Sequence, residues 1–113
     1  MRISELARHC GASTRSLRHY DAQGLLESTR LPNGYRDFAE AAVEQVRRIR
    51  SLLAVGLDLE EIAVLMPCFA ADGRLGGCET ARRRLAERIA AIDAAMVELH
   101  RTRARLTAEV ERW

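Results

Sequence analysis

Residues 3–38, "ISELARHCGASTRSLRHYDAQGLLESTRLPNGYRDF", decide the fold because they begin with two short helical patterns separated by a glycine turn. In the first pattern the apolar residues fall at helical spacing: Ile3, Leu6, Ala7 and Cys10. Gly11 follows at the position where a helix commonly ends in a left-handed residue. Ser13 then provides the N-cap of a second helix, whose apolar face carries Leu17 and Tyr20. Two helices joined by a short turn with glycine predict a helix-turn-helix.

The second half of this stretch predicts a short β-hairpin, from about Glu27 to Arg36. Asn33-Gly34 is typical of a two-residue hairpin turn, because both residue types adopt positive φ angles more readily than others. A single hairpin is only marginally stable in water. We therefore expect it to pack beside the two helices as a wing.

Two more helices are predicted after the hairpin. Asp37 with Glu40 fits a capping box for the first of them, and Gly56 ends it. Asp58 with Glu61 repeats the capping box for a shorter helix. These two helices complete a predicted helical domain.

The sequence from Glu79 to Trp113 contains neither proline nor glycine and predicts one long helix. Its apolar residues follow a heptad pattern: Leu85, Ile89, Ile92, Met96, Leu99, Leu106, Val110 and Trp113. Such a helix is about 50 Å long, so its apolar stripe needs another helix, and a second copy of the chain is the nearest source. The predicted domains are a winged helix-turn-helix domain with the following helix pair at 1–66, a connector loop at 67–78 and a dimerisation helix at 79–113.

The positive charge lies in the N-terminal half. Residues 1–50 hold nine arginines and six acidic residues, whereas residues 51–113 hold nine arginines and ten acidic residues. The N-terminal half is thus the better candidate for a polyanion. On the second helix Arg15, Arg18 and His19 share one face, a layout that suits a recognition helix in DNA. Basic helix faces are also common on solvated helices, but the predicted wing beside this face favours DNA.

The pairing of "SLRHYDAQGLL" with "NGYR", and the order of elements around it, resembles the MerR family of bacterial transcription regulators over essentially the whole chain. The resemblance implies a mainly α fold, with a winged helix-turn-helix DNA-binding domain and a long C-terminal helix that dimerises as an antiparallel coiled coil. It implies three partners: double-stranded promoter DNA, a second copy of the chain and RNA polymerase. It further implies that the homodimer binds a two-fold operator and controls transcription by distorting the promoter, at an energetic cost that its phosphate contacts offset.

The resemblance also assigns DNA contacts. The family's recognition-helix contacts correspond to Ser13, Thr14, Arg15, Arg18 and Tyr20, and its wing contacts to Asn33, Tyr35 and Arg36. We add Arg30 on the wing and His19 on the helix. His19 stands where the family usually has a second tyrosine, so we expect an altered sequence preference there.

The three cysteines raise the question of a signal. In the cytoplasm, thiols, ligands or redox switches are expected rather than structural disulfides. Cys10 lies on the apolar face of the first helix, where we expect a small buried residue.

Cys78 precedes the long helix, whose N-terminus favours the thiolate and hence metal binding or oxidation. The family's metal sensors have a cysteine near this point, but they place further cysteines after the dimer helix, and here none follows Cys78. Two thiolates suit a soft metal ion, so Cys68 and Cys78 are candidate ligands; a redox role, or no signalling role, is the alternative.

The remaining motifs narrow the class of function. The sequence shows no leader and no apolar run of the ~18 residues that suggest a membrane span, so we expect a cytoplasmic protein with no membrane partner. It shows no catalytic constellation, P-loop or dinucleotide-binding glycine motif, so we do not expect an enzyme. Two alternatives to a signal-responsive regulator stay open: an effector-independent architectural DNA-binding protein and a coiled-coil protein-interaction module.

Overall fold

The computed structural model describes residues 1–76 and 78–113, and its fold is mainly α, as predicted. The elements in chain order are α1 Ile3–Cys10, α2 Thr14–Ala22, β1 Ser28–Arg30, β2 Arg36–Phe38, α3 Ala41–Ala54, α4 Leu59–Leu65, a 3-10 turn Met66–Cys68 and α5 Glu79–Glu111. They form two compact units, Met1–Gly76 and Gly77–Trp113. The first unit holds the predicted helix-turn-helix and wing.

Helices α1 and α2 form the predicted helix-turn-helix. Gly11 adopts a left-handed conformation (φ 65°) and its N–H donates to the Ala7 carbonyl at 2.9 Å, which ends α1. Ser13 caps α2, because its hydroxyl oxygen accepts from the Ser16 N–H at 3.1 Å. Both local predictions for this motif are therefore confirmed.

The wing is present, but its turn differs from the predicted one. The strands are antiparallel, with Ser28 opposite Phe38, Thr29 opposite Asp37 and Arg30 opposite Arg36. Beyond them, the Leu31 N–H donates to the Tyr35 carbonyl at 2.7 Å, leaving a three-residue loop. Gly34 has a positive φ of 86°, whereas Asn33 does not. The predicted two-residue turn is wrong because Pro32 fixes its own φ at a negative value, which suits a type I turn followed by a left-handed glycine.

The predicted capping box at Asp37 and Glu40 is also wrong. Strand β2 continues through Phe38, which is 2% exposed, and α3 begins after Glu40 without a side-chain cap. Asp37 instead accepts a hydrogen bond from the Met1 ammonium at 3.0 Å. Strand pairing and burial of Phe38 outweigh a local cap whose net contribution is about 1 kcal/mol.

The junction between α3 and α4 follows the sequence prediction closely. Gly56 (φ 90°) ends α3, and the Leu57 N–H donates back to the Leu52 carbonyl at 3.2 Å. The predicted capping box of α4 is confirmed, since the Glu61 N–H donates to Asp58 Oδ1 at 2.8 Å and the Asp58 N–H to Glu61 Oε1 at 3.4 Å. These bonds end α3 and begin α4.

One apolar core holds the first unit together. The largest fully buried side chains are Leu6, Leu17, Phe38, Val46, Ile49, Ile62 and Leu65. They come from α1, α2, the wing, α3 and α4, so each of these elements contributes to a single core. The core fixes the recognition helix relative to the wing, since Leu17 and Phe38 both belong to it.

The segment after α4 begins with the 3-10 turn and then packs on α3. Phe69 and Leu75 form an isolated antiparallel bridge, and the Arg48 guanidinium carbon lies 5.1 Å from the centroid of the Phe69 ring. Most of the predicted connector thus falls within the first unit. Two connector positions are left: Gly77 lies outside the described residues, and Cys78 directly precedes α5.

Helix α5 forms the second unit and runs for 33 residues. Its heptad apolar residues are largely exposed in one chain: Ile92 is 44% exposed, Ile89 59%, Met96 62% and Leu99 69%. The exposure continues at Leu106 and Val110. Among the helices that the structure describes, none is long and apolar enough to cross a membrane.

Candidate nucleic-acid interface

The recognition helix presents the predicted basic face to solvent. Arg15, Arg18 and His19 are all exposed on α2, while Leu17 is fully buried. Tyr20 is 7% exposed, so it belongs to the core and little of it is accessible to DNA. The helix therefore combines one packed side with one side free for a ligand.

The first turn of α2 uses Ser13 for structure. Its hydroxyl accepts from the Ser16 N–H and donates to the Ser16 hydroxyl at 3.0 Å. Thr14, the first residue of the helix, is partly exposed beside it. A DNA contact by Ser13 would have to share the hydroxyl that already caps the helix.

The tip of the wing is exposed. Arg30 and Asn33 are open to solvent, and Tyr35 is 60% exposed. The Asn33 Oδ1 accepts from the Tyr35 N–H at 3.1 Å, which shapes the loop. The asparagine side chain is thus partly committed to holding the wing in position.

Arg36 connects the wing to the recognition helix. Its Nε lies 2.9 Å and its Nη2 3.3 Å from the two carboxylate oxygens of Asp21 in α2, and the Ser28 hydroxyl donates to the same carboxylate at 2.7 Å. Burial raises the pKa of Asp21, but hydrogen bonds from Arg36 and Ser28 and the charge of Arg36 outweigh it, so the pKa is lower than usual. The Asp21 side chain is only 13% exposed. Arg36 therefore acts first as a structural partner of α2.

A cleft of about 450 Å³ lies between the start of α1, the recognition helix and the wing. Its lining residues are Arg2, Ile3, Ser4, Arg18, Asp21, Gly34, Tyr35, Arg36 and Phe38. The Arg2 guanidinium carbon lies 5.1 Å from the centroid of the Tyr35 ring. The sequence pattern does not indicate the contact of Arg2, because no local spacing joins a residue before α1 to the wing. The excess of arginine in the N-terminal half was the only available signal.

The cysteines do not form the predicted thiol site in this state. Cys68 and Cys78 are disulfide-bonded, which contradicts the expectation of free thiols or metal ligands, because a disulfide sulfur is not a thiolate. Cys10 is a free, half-buried cysteine; burial raises its pKa, although Arg47 and Arg50 act in the opposite direction. Within the described part of the chain, no group of three or more His, Cys, Asp or Glu side chains is placed to hold a metal ion. The donor set therefore does not fit a metal in this state.

Comparison with known proteins gives the family. A model described as "MerR HTH family regulatory protein" matches residues 1–67, and one described as "MerR, DNA binding" matches residues 43–108. The HTH-type transcriptional regulator CueR of Salmonella typhi is 31% identical over 112 residues, covering 98% of this chain and 80% of CueR.

Two solved structures show the same fold. The transcription regulator PbrR691 from Ralstonia metallidurans CH34, solved with lead(II), is 27% identical with a TM-score of 0.79, covering 95% of this chain and 82% of that one. HiNmlR, a MerR family regulator lacking the sensor domain and solved with promoter DNA, is 25% identical with a TM-score of 0.57. The match covers 89% of this chain and 76% of HiNmlR. Together with the matched family models and the exposed basic face beside a wing, these relatives show that the chain belongs to the MerR family of DNA-binding transcriptional regulators.

Proposed function

We propose that this protein binds a two-fold promoter operator as a homodimer and controls transcription by distorting the promoter, so that RNA polymerase engages it. It is a binding protein rather than an enzyme, and it acts in the cytoplasm, where promoter DNA and polymerase are. The observation that carries the proposal is the exposed basic face of α2 beside a wing that Arg36 fixes to Asp21 on the same helix. In this proposal DNA contacts both α2 and the wing, which are held in one fixed orientation.

The proposed contacts fall into two groups, according to the part of the DNA that they touch. Residues on the exposed face of α2 meet base edges and phosphates, and those on the wing meet the backbone nearby. The full set is Ser13, Thr14, Arg15, Arg18, His19, Tyr20, Arg30, Asn33, Tyr35 and Arg36. Arg15 and Arg18 contribute most, because both are exposed and neither takes part in an ion pair among the described residues.

Dimerisation is proposed through α5, as an antiparallel coiled coil. The exposed apolar residues of its heptad pattern supply the contact surface, since apolar area removed from water stabilises association. The groove along this helix is lined at its C-terminal half by Leu99, Leu106 and Val110, with Thr102 and Thr107 at its edges. A monomer in sedimentation at micromolar concentration would contradict the two-fold model.

The test of DNA binding is a gel shift on the DNA upstream of the gene. Arg18→Ala is compared with Arg105→Ala, an equal loss of charge at an exposed position of α5 outside the apolar stripe. We expect Arg18→Ala to weaken operator binding at least tenfold and Arg105→Ala to leave it unchanged. Equal binding by the two variants would contradict the recognition-helix assignment, and affinity independent of salt would favour a protein-interaction module, since phosphate contacts release counterions.

We also propose that Cys68 and Cys78 receive the signal. The pair is disulfide-bonded in the structure; two molecules of a low-molecular-weight thiol reduce it to two thiols and are themselves joined as a disulfide, so that Cys68 and Cys78 become available to a soft metal ion. One relative supports this proposal by its fold: PbrR691, whose structure contains lead(II).

The signal is tested by promoter output under oxidant and under soft metal ions. Cys68→Ser and Cys78→Ser should each abolish the response, and Cys10→Ser serves as the matched control because Cys10 is not in a disulfide. An unchanged response in both variants would instead support an effector-independent architectural DNA-binding protein.

A further inference from the structure

We propose that the cleft between the start of α1, α2 and the wing is a subsite for a DNA backbone phosphate. Arg2 and Arg18 are its donors, and Tyr35 is the positioning residue that holds Arg2. The inference rests on the proposed DNA binding and adds to it a contact outside the helix-turn-helix and the wing. All the residues involved belong to the first unit.

The charge of the cleft favours an anion. Three arginines and one acid, Asp21, line it, and Asp21 is paired with Arg36. Arg2 and Arg18 take part in no ion pair among the described residues. Two arginines without an ion-pair partner among the described residues therefore line one cleft, and the planar fork of a guanidinium matches two phosphate oxygens.

Arg2 does not extend freely into solvent. Its guanidinium carbon is 5.1 Å from the Tyr35 ring centroid, within the range of a cation–π contact. The contact restricts a long side chain before any ligand arrives, which lowers the conformational entropy lost on binding. Tyr35 is held in turn by its N–H bond to Asn33. The wing thus orients an arginine that precedes the first helix.

The position of the cleft favours DNA over a free anion. It opens beside Arg18, which lies on the exposed face of the recognition helix, and beside Gly34 at the wing tip. A duplex that touches both elements runs across the opening between them, and its backbone carries a phosphate every few ångströms. A phosphate contact positions the protein without reading sequence.

The experiment compares Arg2→Gln with Arg105→Gln in the full-length protein. Each contact to a phosphate contributes about 0.9 to the slope of log affinity against log salt, so Arg2→Gln should reduce the slope by about 1.8 for a dimer. When the affinity is extrapolated from 1 M to 0.15 M salt, a slope reduced by about 0.9 corresponds to about fivefold weaker binding per protomer. A slope reduced by about 1.8 corresponds to about 30-fold weaker binding of the dimer. The loss should be equal for operator and unrelated DNA, and Arg105→Gln should cause none.

The role of Tyr35 is tested separately. If the ring positions Arg2, Tyr35→Leu should reduce the salt slope about as much as Arg2→Gln does, and Tyr35→Phe, which keeps the ring, should reduce it less. In a double-mutant cycle, Arg2→Gln should then add little to Tyr35→Leu. An equal loss in Tyr35→Phe and Tyr35→Leu would overturn the positioning role, because the hydroxyl would then be the group that matters.

Two results would overturn the subsite. One is a slope in Arg2→Gln equal to that of the parent protein while the parent binds DNA normally. The other is a loss confined to operator DNA, which would indicate base contact. If the parent itself binds no DNA, the proposed function fails, and this outcome is separate from a failure of the subsite.

Discussion

Replacing Asp21 by alanine should loosen the wing from the recognition helix. The Asp21 carboxylate accepts three hydrogen bonds, two from Arg36 and one from the Ser28 hydroxyl. Asp21→Ala removes both acceptor oxygens, and with them all three hydrogen bonds, and leaves the Ser28 hydroxyl, which is half-buried, without this partner. Both the stability of the first unit and the geometry of the DNA-binding surface depend on these bonds.

The magnitude follows from the exposure of the partners. A hydrogen bond to a charged group contributes ~1.5–3 kcal/mol when it is shielded from water, and an exposed ion pair ~0–1 kcal/mol. The Asp21 side chain is 13% exposed and the Arg36 side chain 39%, so the contribution is discounted for solvent screening. We expect Asp21→Ala to lower the free energy of unfolding by about 2 kcal/mol, and Ser28→Ala by about 1 kcal/mol.

The stabilisation by the Asp21 carboxylate should decrease as the pH is lowered. The pKa of Asp21 is lower in the folded chain than its usual value, so the carboxylate stabilises the folded state above about pH 5. This contribution is lost as pH falls through the folded-state pKa. The difference between parent and Asp21→Ala should therefore be constant from pH 5 to 8 and shrink below about pH 4.

The assay is urea unfolding at fixed protomer concentration, followed by far-UV circular dichroism across this pH range. Glu98→Ala is the control, because Glu98 also pairs with an arginine but is 69% exposed; we expect a change of about 0.5 kcal/mol or less. A loss in Asp21→Ala no larger than that of Glu98→Ala would refute the argument. So would a difference that grows as the pH is lowered.

Three further predictions concern the wing tip, the dimer and a cap. Gly34→Ala should lower the free energy of unfolding by about 1–2 kcal/mol through left-handed backbone strain alone, because the φ of Gly34 is 86° and no atom lies within 4 Å of the added Cβ. Gly34→Asn should lower it less, and unfolding curves of the two variants measure the difference. Leu106→Glu should make the protein monomeric in sedimentation, whereas Arg105→Glu, outside the apolar stripe, should leave it dimeric. Ser13→Ala should lower the free energy of unfolding by about 1 kcal/mol, and Ser13→Asp, which keeps an N-cap acceptor, should recover most of it.

Features set by neighbouring residues could be predicted from the sequence. The turn at Gly11 and the caps at Ser13 and Asp58 depend on atoms within a few positions, and all three appear as expected. The wing was also found from a local signal. Its turn type was not, because Pro32, immediately before Asn33-Gly34, decides which backbone conformation the loop takes.

Features set by distant residues could not be predicted. Asp37 had the local pattern of a cap, but strand pairing takes it into β2. Arg36 was placed among the DNA contacts, and nothing in its surroundings along the chain revealed that Asp21 binds it. Arg2 meets the wing only after the fold brings them together. For the candidate site, the sequence thus predicted the exposed basic face of α2 but not the contacts that its side chains and those of the wing make within the fold.

The exposed apolar stripe of α5 has a consequence for how the regulator responds to its own abundance. If operator binding requires two chains, the concentration of binding-competent protein below the dimer dissociation constant rises with the square of the chain concentration. A halving of expression would then reduce that form about fourfold. The helix would therefore set a threshold of expression below which the promoter is left free.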